Sequence, residues 1–180
     1  MKICISGFAG CGKTTVANQL SALNGFEVIN VTFKDLAKER GVTLEKFQKI
    51  AEKDKSIDKK LDDLLVKKAN KAKNAIISTW LCAWIIKDAD IRVFLDASLK
   101  ERAKRIAKRE SLPFKIALTR TKTRDLQNIK RYKKIYGIDI SDKSVYDLII
   151  NTEQVNPTEA AYLINALAIV RKKFEIDPRG

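Results

Sequence analysis

The stretch Gly7-Phe8-Ala9-Gly10-Cys11-Gly12-Lys13-Thr14 fits the phosphate-binding loop pattern G-x-x-x-x-G-K-[ST]. Residues 2–6 form an apolar run that predicts a short buried strand, and residues 14–23 carry apolar side chains at helical spacing. A strand, a glycine-rich loop and a helix in this order are the context that the motif requires. A glycine-rich turn with a chance Lys-Thr pair has no reason to be flanked in this way. The sequence therefore predicts a phosphate-binding loop near its start.

This loop supplies the groups that hold nucleotide phosphates. Its glycines let the backbone bend so that N–H groups point at phosphate oxygens, and the helix N-terminus adds a partial positive charge. Lys13 is predicted to reach the β- and γ-phosphates, and the Thr14 hydroxyl to ligate Mg²⁺. We therefore predict ATP and Mg²⁺ as cofactors. The predicted nucleotide-binding residues here are Gly7, Phe8, Ala9, Gly10, Cys11, Gly12, Lys13, Thr14 and Thr15.

Length and composition favour one α/β domain with a basic surface. The chain has 180 residues, of which 45% are hydrophobic, and its formal net charge of +14 favours anionic partners. A lysine-rich solvated surface explains part of this excess. The absence of histidine excludes an imidazole base or metal ligand. Cys4, Cys11 and Cys82 follow no metal spacing, which is typical of reduced thiols in a cytoplasmic protein, and no apolar run is long enough to span a membrane.

Predicted strands alternate with predicted helices along the chain. Strands are predicted at residues 2–6, 26–31, 74–78, 91–96 and 145–150. Helices are predicted at 14–23, 33–40, after Thr43, around 57–69, at 81–87, at 98–109, from Pro113 to Tyr136 and from Asn156 onward. This alternation indicates a parallel sheet with helices on both faces. Ligands of such sheets lie at the carboxyl ends of the strands, where the glycine-rich loop is expected.

Five further stretches, together with the phosphate loop, resemble the archaeal type of cytidylate kinase. They are LAKERG at 36–41, IDKKLD at 57–62, ERAKRIAKRE at 101–110, RYKKIYGIDI at 131–140 and YDLIINT at 146–152. They follow one another in the family's order over almost the whole chain. The resemblance implies an α/β fold of the P-loop nucleoside monophosphate kinase type: a five-stranded parallel sheet flanked by helices on both faces. It implies a single domain over 1–180, a monophosphate-binding arm near 33–73 and a lid near 105–137.

The resemblance also implies roles for four arginines. Arg105 is expected near the adenine and Arg109 at the ATP phosphates. Arg124 and Arg131 are expected to hold the transferring phosphoryl group, and with Lys13 they are the predicted catalytic residues. Arginine suits this task because a loose transition state spreads charge over several oxygens. Without the resemblance, arginines at such spacing are typical of solvated helix faces.

The region expected to bind the acceptor departs from the family pattern. Ser78, Thr79 and Trp80 stand where the family has an acid, a glycine and an arginine, and the family's acceptor turn after the second strand is missing. Lys34 stands in place of another arginine and is predicted to hold the acceptor phosphate as a point charge. Trp80 fits a core position or a stacking platform for a base. Asp96 could replace the lost acid or cap the next turn.

The sequence thus predicts an enzyme, a nucleoside monophosphate kinase that moves a phosphoryl group from ATP to CMP or dCMP. We expect a cytoplasmic monomer with no membrane contact. Two alternatives remain at this point. One is a nucleotide-dependent switch that binds RNA or a protein partner through its basic lid. The other is a kinase for a different small-molecule acceptor.

Overall fold

A parallel sheet of five strands forms the centre of the molecule. The structure, a computed structural model, describes residues 1–31, 36–38, 40–43, 47, 50 and 56–174. The strands are β1 (Lys2–Ser6), β2 (Glu27–Ile29), β3 (Ala75–Ser78), β4 (Ile91–Asp96) and β5 (Leu148–Asn151). Their order in the sheet is β2-β3-β1-β4-β5, and all pairs are parallel. The predicted fold class is confirmed.

Helices connect the strands and cover both faces of the sheet. In the described residues they are α1 (Lys13–Asn24), α2 (Ser56–Lys71), α3 (Cys82–Ile85), α4 (Leu99–Glu110), α5 (Phe114–Tyr136) and α6 (Pro157–Phe174). The Ser98 hydroxyl caps α4 by accepting the Glu101 N–H at 3.2 Å, and α5 ends at Gly137, whose φ is +70°. The helices predicted at 33–40 and after Thr43 lie largely outside the described residues.

The core consists of one apolar layer on each face of the sheet. Because every residue of β1 is buried, its side chains supply both layers alternately. Ile3 and Ile5 pack with α1 and α6 on one face, whereas Cys4 packs with residues of α2 and α3 on the other. β1 is therefore the central strand, and the loop that follows it starts from a strand whose residues are all buried.

The fifth strand begins later than the sequence predicts, at Leu148 rather than residue 145. The Asp147 carboxylate accepts the backbone N–H of Arg92 and forms an ion pair with Arg171 at 3.0 Å. The Tyr146 ring packs against the rings of Phe94 and Trp84. Residues 145–147 lie in a turn and a bend rather than in the strand. An apolar residue followed by Tyr-Asp does not distinguish the two in the sequence.

The ends of the central strands determine where the functional residues lie. The glycine-rich loop joins β1 to α1. Because the strands are parallel, the segments that follow β3, β4 and β5 begin at the same edge of the sheet as this loop. None of the helices within the described ranges is long and apolar enough to cross a membrane.

Candidate functional site

The loop between β1 and α1 has the backbone shape of an anion cradle. Gly7, Gly10 and Gly12 have φ values of +147°, +82° and +97°, which side chains strongly disfavour. A Cβ atom on Gly7 would lie 2.5 Å from the carbonyl oxygen of Leu95 and 2.6 Å from the sulfur of Cys11. Only glycine therefore fits at the first position. The loop leads directly into the N-terminus of α1, where phosphate is favoured.

Lys13 folds back over this loop. Its Nζ atom donates to the carbonyl oxygens of Gly7 at 2.7 Å and Phe8 at 3.1 Å, and it lies 5.4 Å from the centre of the Trp80 ring. The ammonium group is thus held at the mouth of the cradle by bonds that an incoming phosphate can replace. Thr14 and Thr15 follow on the exposed side of the first turn of α1.

The Cys11 side chain is fully buried inside the loop. Its sulfur lies 3.8 Å from the Nζ atom of Lys13. Cys11 therefore fills buried space beneath the loop.

Trp80 lies between the core and the loop. Its half-buried ring packs edge-to-face against Phe8, with the ring centres 5.4 Å apart, and joins a small apolar cluster containing Ala9, Ile106 and Ala117. The Trp80 ring thus packs against core residues, and the Lys13 ammonium lies over the ring. Ser78, just before it, is buried, and among the described residues its hydroxyl has no hydrogen-bond partner.

Arg105 reaches the edge of the phosphate loop through Thr152. Its guanidinium donates to the Thr152 hydroxyl at 3.0 Å and to the Thr152 carbonyl oxygen at 2.7 Å. The same hydroxyl lies 3.2 Å from the carbonyl oxygen of Cys11. The structure therefore brings Arg105, the turn after β5 and the phosphate loop together.

The other predicted arginines are not drawn together in this way. Arg109 is exposed and pairs with neighbouring Glu110 at 2.6 Å. Arg124 is exposed on α5, and Arg131 is half-buried two turns further along that helix. The structure thus places all three on α4 and α5. Lys34, the predicted acceptor residue, lies outside the described residues.

Asp96 ends β4 and is engaged with neighbouring groups. Its carboxylate accepts from the Nζ atom of Lys143 at 2.5 Å, and its carbonyl oxygen accepts the Thr152 N–H at 2.9 Å. It borders an open cleft of about 300 Å³ at the carboxyl ends of β4 and β5. The cleft is lined by Asp96, Ala97, Ser98, Ile149, Asn151 and Glu153. Within the described residues, no group of three or more Cys, Asp or Glu side chains is arranged to hold a metal ion.

The sequence did not single out a buried ion pair behind the loop. The Arg102 guanidinium lies 2.7 Å from the Asp125 carboxylate, and both residues are less than 10% exposed. Burial raises the pKa of the Asp125 carboxyl, while Arg102 opposes that shift by favouring the charged form. The sequence carried one signal for this pair. Arg102 shares the buried face of α4 with Ala103 and Ile106, and Asp125 shares the buried face of α5 with Thr121.

Comparison with known proteins gives a consistent result. The model of the "Cytidylate kinase-like family" matches residues 2–154. Cytidylate kinase of Thermococcus kodakarensis is 43% identical over 91% of this chain and 86% of that protein. The cytidylate kinases of Pyrococcus furiosus and Sulfurisphaera tokodaii are 40% and 42% identical over 99% and 92% of this chain, and over 91% and 94% of their own lengths.

Solved structures show the same fold at lower identity. An uncharacterized protein from Eubacterium ventriosum superposes with a TM-score of 0.70 at 24% identity, covering 93% of this chain and 97% of its own. Shikimate kinase from Acinetobacter baumannii gives a TM-score of 0.64 at 21% identity, covering 95% and 94%. At these identities the likeness concerns the fold alone.

Proposed function

The chain belongs to the cytidylate kinase-like family, and on that premise we propose that it transfers the γ-phosphoryl group of ATP to the 5′-phosphate of CMP or dCMP. As a nucleoside monophosphate kinase, it uses ATP as the phosphate donor. The observation that carries the proposal is the phosphate loop: three glycines with positive φ, a helix N-terminus and the Lys13 ammonium meet at one point.

The residues of the loop fit the triphosphate of ATP. The backbone of residues 7–14 and the N-terminus of α1 would hold the phosphates, and Lys13 would exchange its two carbonyl partners for β- and γ-phosphate oxygens. Lys13 then brings a positive charge to the oxygens on which negative charge develops. Thr14 is exposed at the first turn of α1, where its hydroxyl oxygen can coordinate a cation.

Thr14 would hold Mg²⁺ through its hydroxyl, and the ion would supply positive charge beside the phosphates. The donor set fits this arrangement, because the described residues offer one hydroxyl rather than a ready-made cage of carboxylates. Mg²⁺ suits such a site, because it usually keeps several waters and binds substrate phosphates instead of an all-protein cage.

We assign the segment near 105–137 as the lid and the segment near 33–73 as the monophosphate-binding arm. Arg105 already contacts the turn after β5, where it can border the adenine. Arg109, Arg124 and Arg131 would turn toward the phosphates when the lid closes. Lys34 would hold the acceptor phosphate. Since that phosphate is already anionic, the reaction needs no general base.

The altered residues after β3 do not favour a different activity. Ser78 is buried, and the half-buried Trp80 ring packs on Phe8 of the loop. An RNA- or protein-binding switch is not favoured either, because curated relatives that align over nearly the whole chain are cytidylate kinases. We place the enzyme in the cytoplasm, which suits three free and buried thiols.

The test is ATP turnover by purified protein with Mg²⁺, alone and with CMP, dCMP, UMP, AMP or GMP. We expect strong stimulation by CMP or dCMP and its loss in Lys13→Ala. Lys172→Ala, an exposed lysine on α6, is the matched control. Slow ATP hydrolysis that no monophosphate stimulates would refute the kinase assignment and call for RNA-binding measurements at low and high salt.

A further inference from the structure

The buried pair Arg102–Asp125 does more than join two helices. The Arg102 Nη1 atom, which faces Asp125, also donates to the carbonyl oxygen of Ala9 at 3.2 Å, and Nε donates to that of Ala97 at 3.1 Å. The guanidinium lies 5.2 Å from the centre of the Phe8 ring. Two consecutive residues of the phosphate loop, Phe8 and Ala9, are therefore held by one side chain.

The backbone of α4 lies against the same part of the loop. A Cβ atom on Gly10 would be 2.7 Å from the carbonyl oxygen of Arg102. Arg102 thus bonds to Ala9 through its side chain and limits the space at Gly10 through its carbonyl oxygen. The loop can keep its shape only while the first turn of α4 stays in place.

A merely structural role does not explain why these two residues are charged. Burying an ion pair costs desolvation energy, and apolar residues of similar volume often give equal or greater stability. Moreover, Asp125 Oδ1 is buried without a hydrogen-bond partner among the described residues, so the pair is not fully satisfied. A guanidinium has a planar set of donors that can bind two carbonyl oxygens and a carboxylate together. An apolar side chain cannot do this.

Asp125 connects this arrangement to the lid. It lies on α5 directly after Arg124, which we assign to the transferring phosphoryl group. Arg102 therefore bonds to the loop that holds the donor phosphates on one side and to the helix that carries a lid arginine on the other.

We propose that Arg102 and Asp125 are positioning residues for phosphoryl transfer. Arg102 holds the phosphate loop in its binding shape, and Asp125 fixes the positions of Arg102 and α5 relative to that loop. This inference rests on the proposed binding of ATP at the loop. It assigns the pair to the donor side, so its effect falls on ATP and not on the acceptor.

Isothermal titration calorimetry with MgATP and, separately, with CMP tests this assignment. Arg102→Lys keeps a positive charge beside Asp125 but loses the planar fork. Asp125→Asn keeps the shape and loses the charge. The double variant Arg102→Met with Asp125→Leu removes both charges and so avoids leaving one buried alone. We expect the Kd for ATP to rise about tenfold in Arg102→Lys and in the double variant, and less in Asp125→Asn, with the Kd for CMP changed by less than about twofold.

The matched control is Lys104→Gln, which removes an exposed ion pair with Glu101 from the same helix. Loss of stability alone lowers the fraction of protein that binds but not the affinity of the folded fraction. Folded variants that bind ATP as the wild type does would overturn the proposal. Failure of all three variants to fold would overturn it as well, because the pair would then be purely structural. A wild-type protein that does not bind ATP contradicts the proposed function instead.

Discussion

Gly10 shows how little freedom a single position of the phosphate loop has. Its φ is +82°, and an added Cβ would lie 2.7 Å from the carbonyl oxygen of Arg102. Gly25, at the end of α1, has a similar φ of +71° but nothing within 4 Å of the same position. Both glycines have a positive φ, but only Gly10 has another residue close to the position of an added Cβ.

We therefore predict different outcomes for Gly10→Ala and Gly25→Ala. Gly25→Ala should lose about 1 kcal/mol of folding stability, because alanine disfavours positive φ. Gly10→Ala should lose more, because its Cβ would also meet the Arg102 carbonyl oxygen. Gly10→Ala should also weaken ATP binding by about tenfold or more, since the loop must move away from Arg102. Urea unfolding and calorimetry with MgATP measure the two effects. Equal ATP affinity in both variants would show that the close approach at Gly10 has no bearing on binding.

At this scale the sequence predicted the residues whose pattern is local. The phosphate loop is a contiguous motif whose spacing can be recognised without coordinates, and the structure shows its expected backbone shape. Arg102 and Asp125 were missed because a charged residue on an amphipathic helix is normally solvated, and only the packing of α4 on α5 shows that these two are buried. The roles of Lys13, Thr14, Arg105, Arg109, Arg124, Arg131 and Lys34 in binding or catalysis all remain predictions.

A hydrogen bond joins α5 to α2. The Tyr136 hydroxyl, in the last turn of α5, donates to the Asp62 carboxylate on α2 at 2.5 Å. Tyr132 stacks on Tyr136 one turn earlier, with ring centres 6.5 Å apart. These contacts connect the end of the proposed lid to the proposed monophosphate arm.

Tyr136→Phe should therefore affect the acceptor more than the donor. We expect a loss of about 1–2 kcal/mol in stability, because a hydrogen bond to a charged group is removed, and a severalfold higher KM for CMP. The KM for ATP should stay within about twofold. Steady-state kinetics with each substrate varied in turn measures this difference. Tyr162→Phe, an exposed tyrosine on α6, is the control.

A double-mutant cycle with Asp62→Asn decides whether the Tyr136 effect runs through this bond. Coupled effects of the two substitutions would support the connection. Additive effects, or equal changes in both KM values, would contradict it.

Glu153 connects the turn after β5 to the start of α4. Its carboxylate accepts the Ser98 N–H at 2.6 Å, and this bond holds the pKa of Glu153 below its usual range. Because the folded pKa lies below the unfolded one, the carboxylate stabilises the fold above the unfolded pKa, about 4.3. That contribution is lost as the pH falls from there through the folded pKa.

Glu153→Gln should consequently be less stable than the wild type at neutral pH, with the difference shrinking as the pH falls below about 4.3. Thermal unfolding followed by circular dichroism between neutral and acidic pH gives both curves. A difference that stays constant with pH would mean that the carboxylate charge makes no contribution at this turn.

Boundaries of elements were less predictable than their type and order. The capping serine of α4 and the glycine after α5 mark these helix ends in the sequence. By contrast, residues 145–147 carry the apolar and aromatic character of a strand but lie in the turn and bend that precede it. Their bonds to Arg92 and Arg171 come from distant parts of the chain and could not be deduced from local pattern.

For the whole molecule, the alternation of strands and helices predicted a parallel sheet, but not the position of each strand in it. The central position of β1 follows from its pairing with β3 and β4 on either side. This arrangement places Cys4 in the middle of the sheet and Cys82 directly beneath it, both fully buried. Neither thiol can react with a reagent unless the core opens.

The alkylation rate of Cys4 should therefore report the global stability of the protein. We expect Cys4 to react with iodoacetamide only through unfolding, and MgATP at about 100 times its Kd to slow the reaction by about 100-fold, since binding to the folded state adds about 2.7 kcal/mol. Fragment-ion mass spectrometry separates the labelling of Cys4 from that of Cys11, which lies in the loop proposed to bind ATP. Rapid labelling of Cys4 in the native protein would show that the central strand opens locally. Slowing of Cys11 alone would mean that ATP closes the loop without stabilising the sheet, and that β1 and the phosphate loop unfold as separate units.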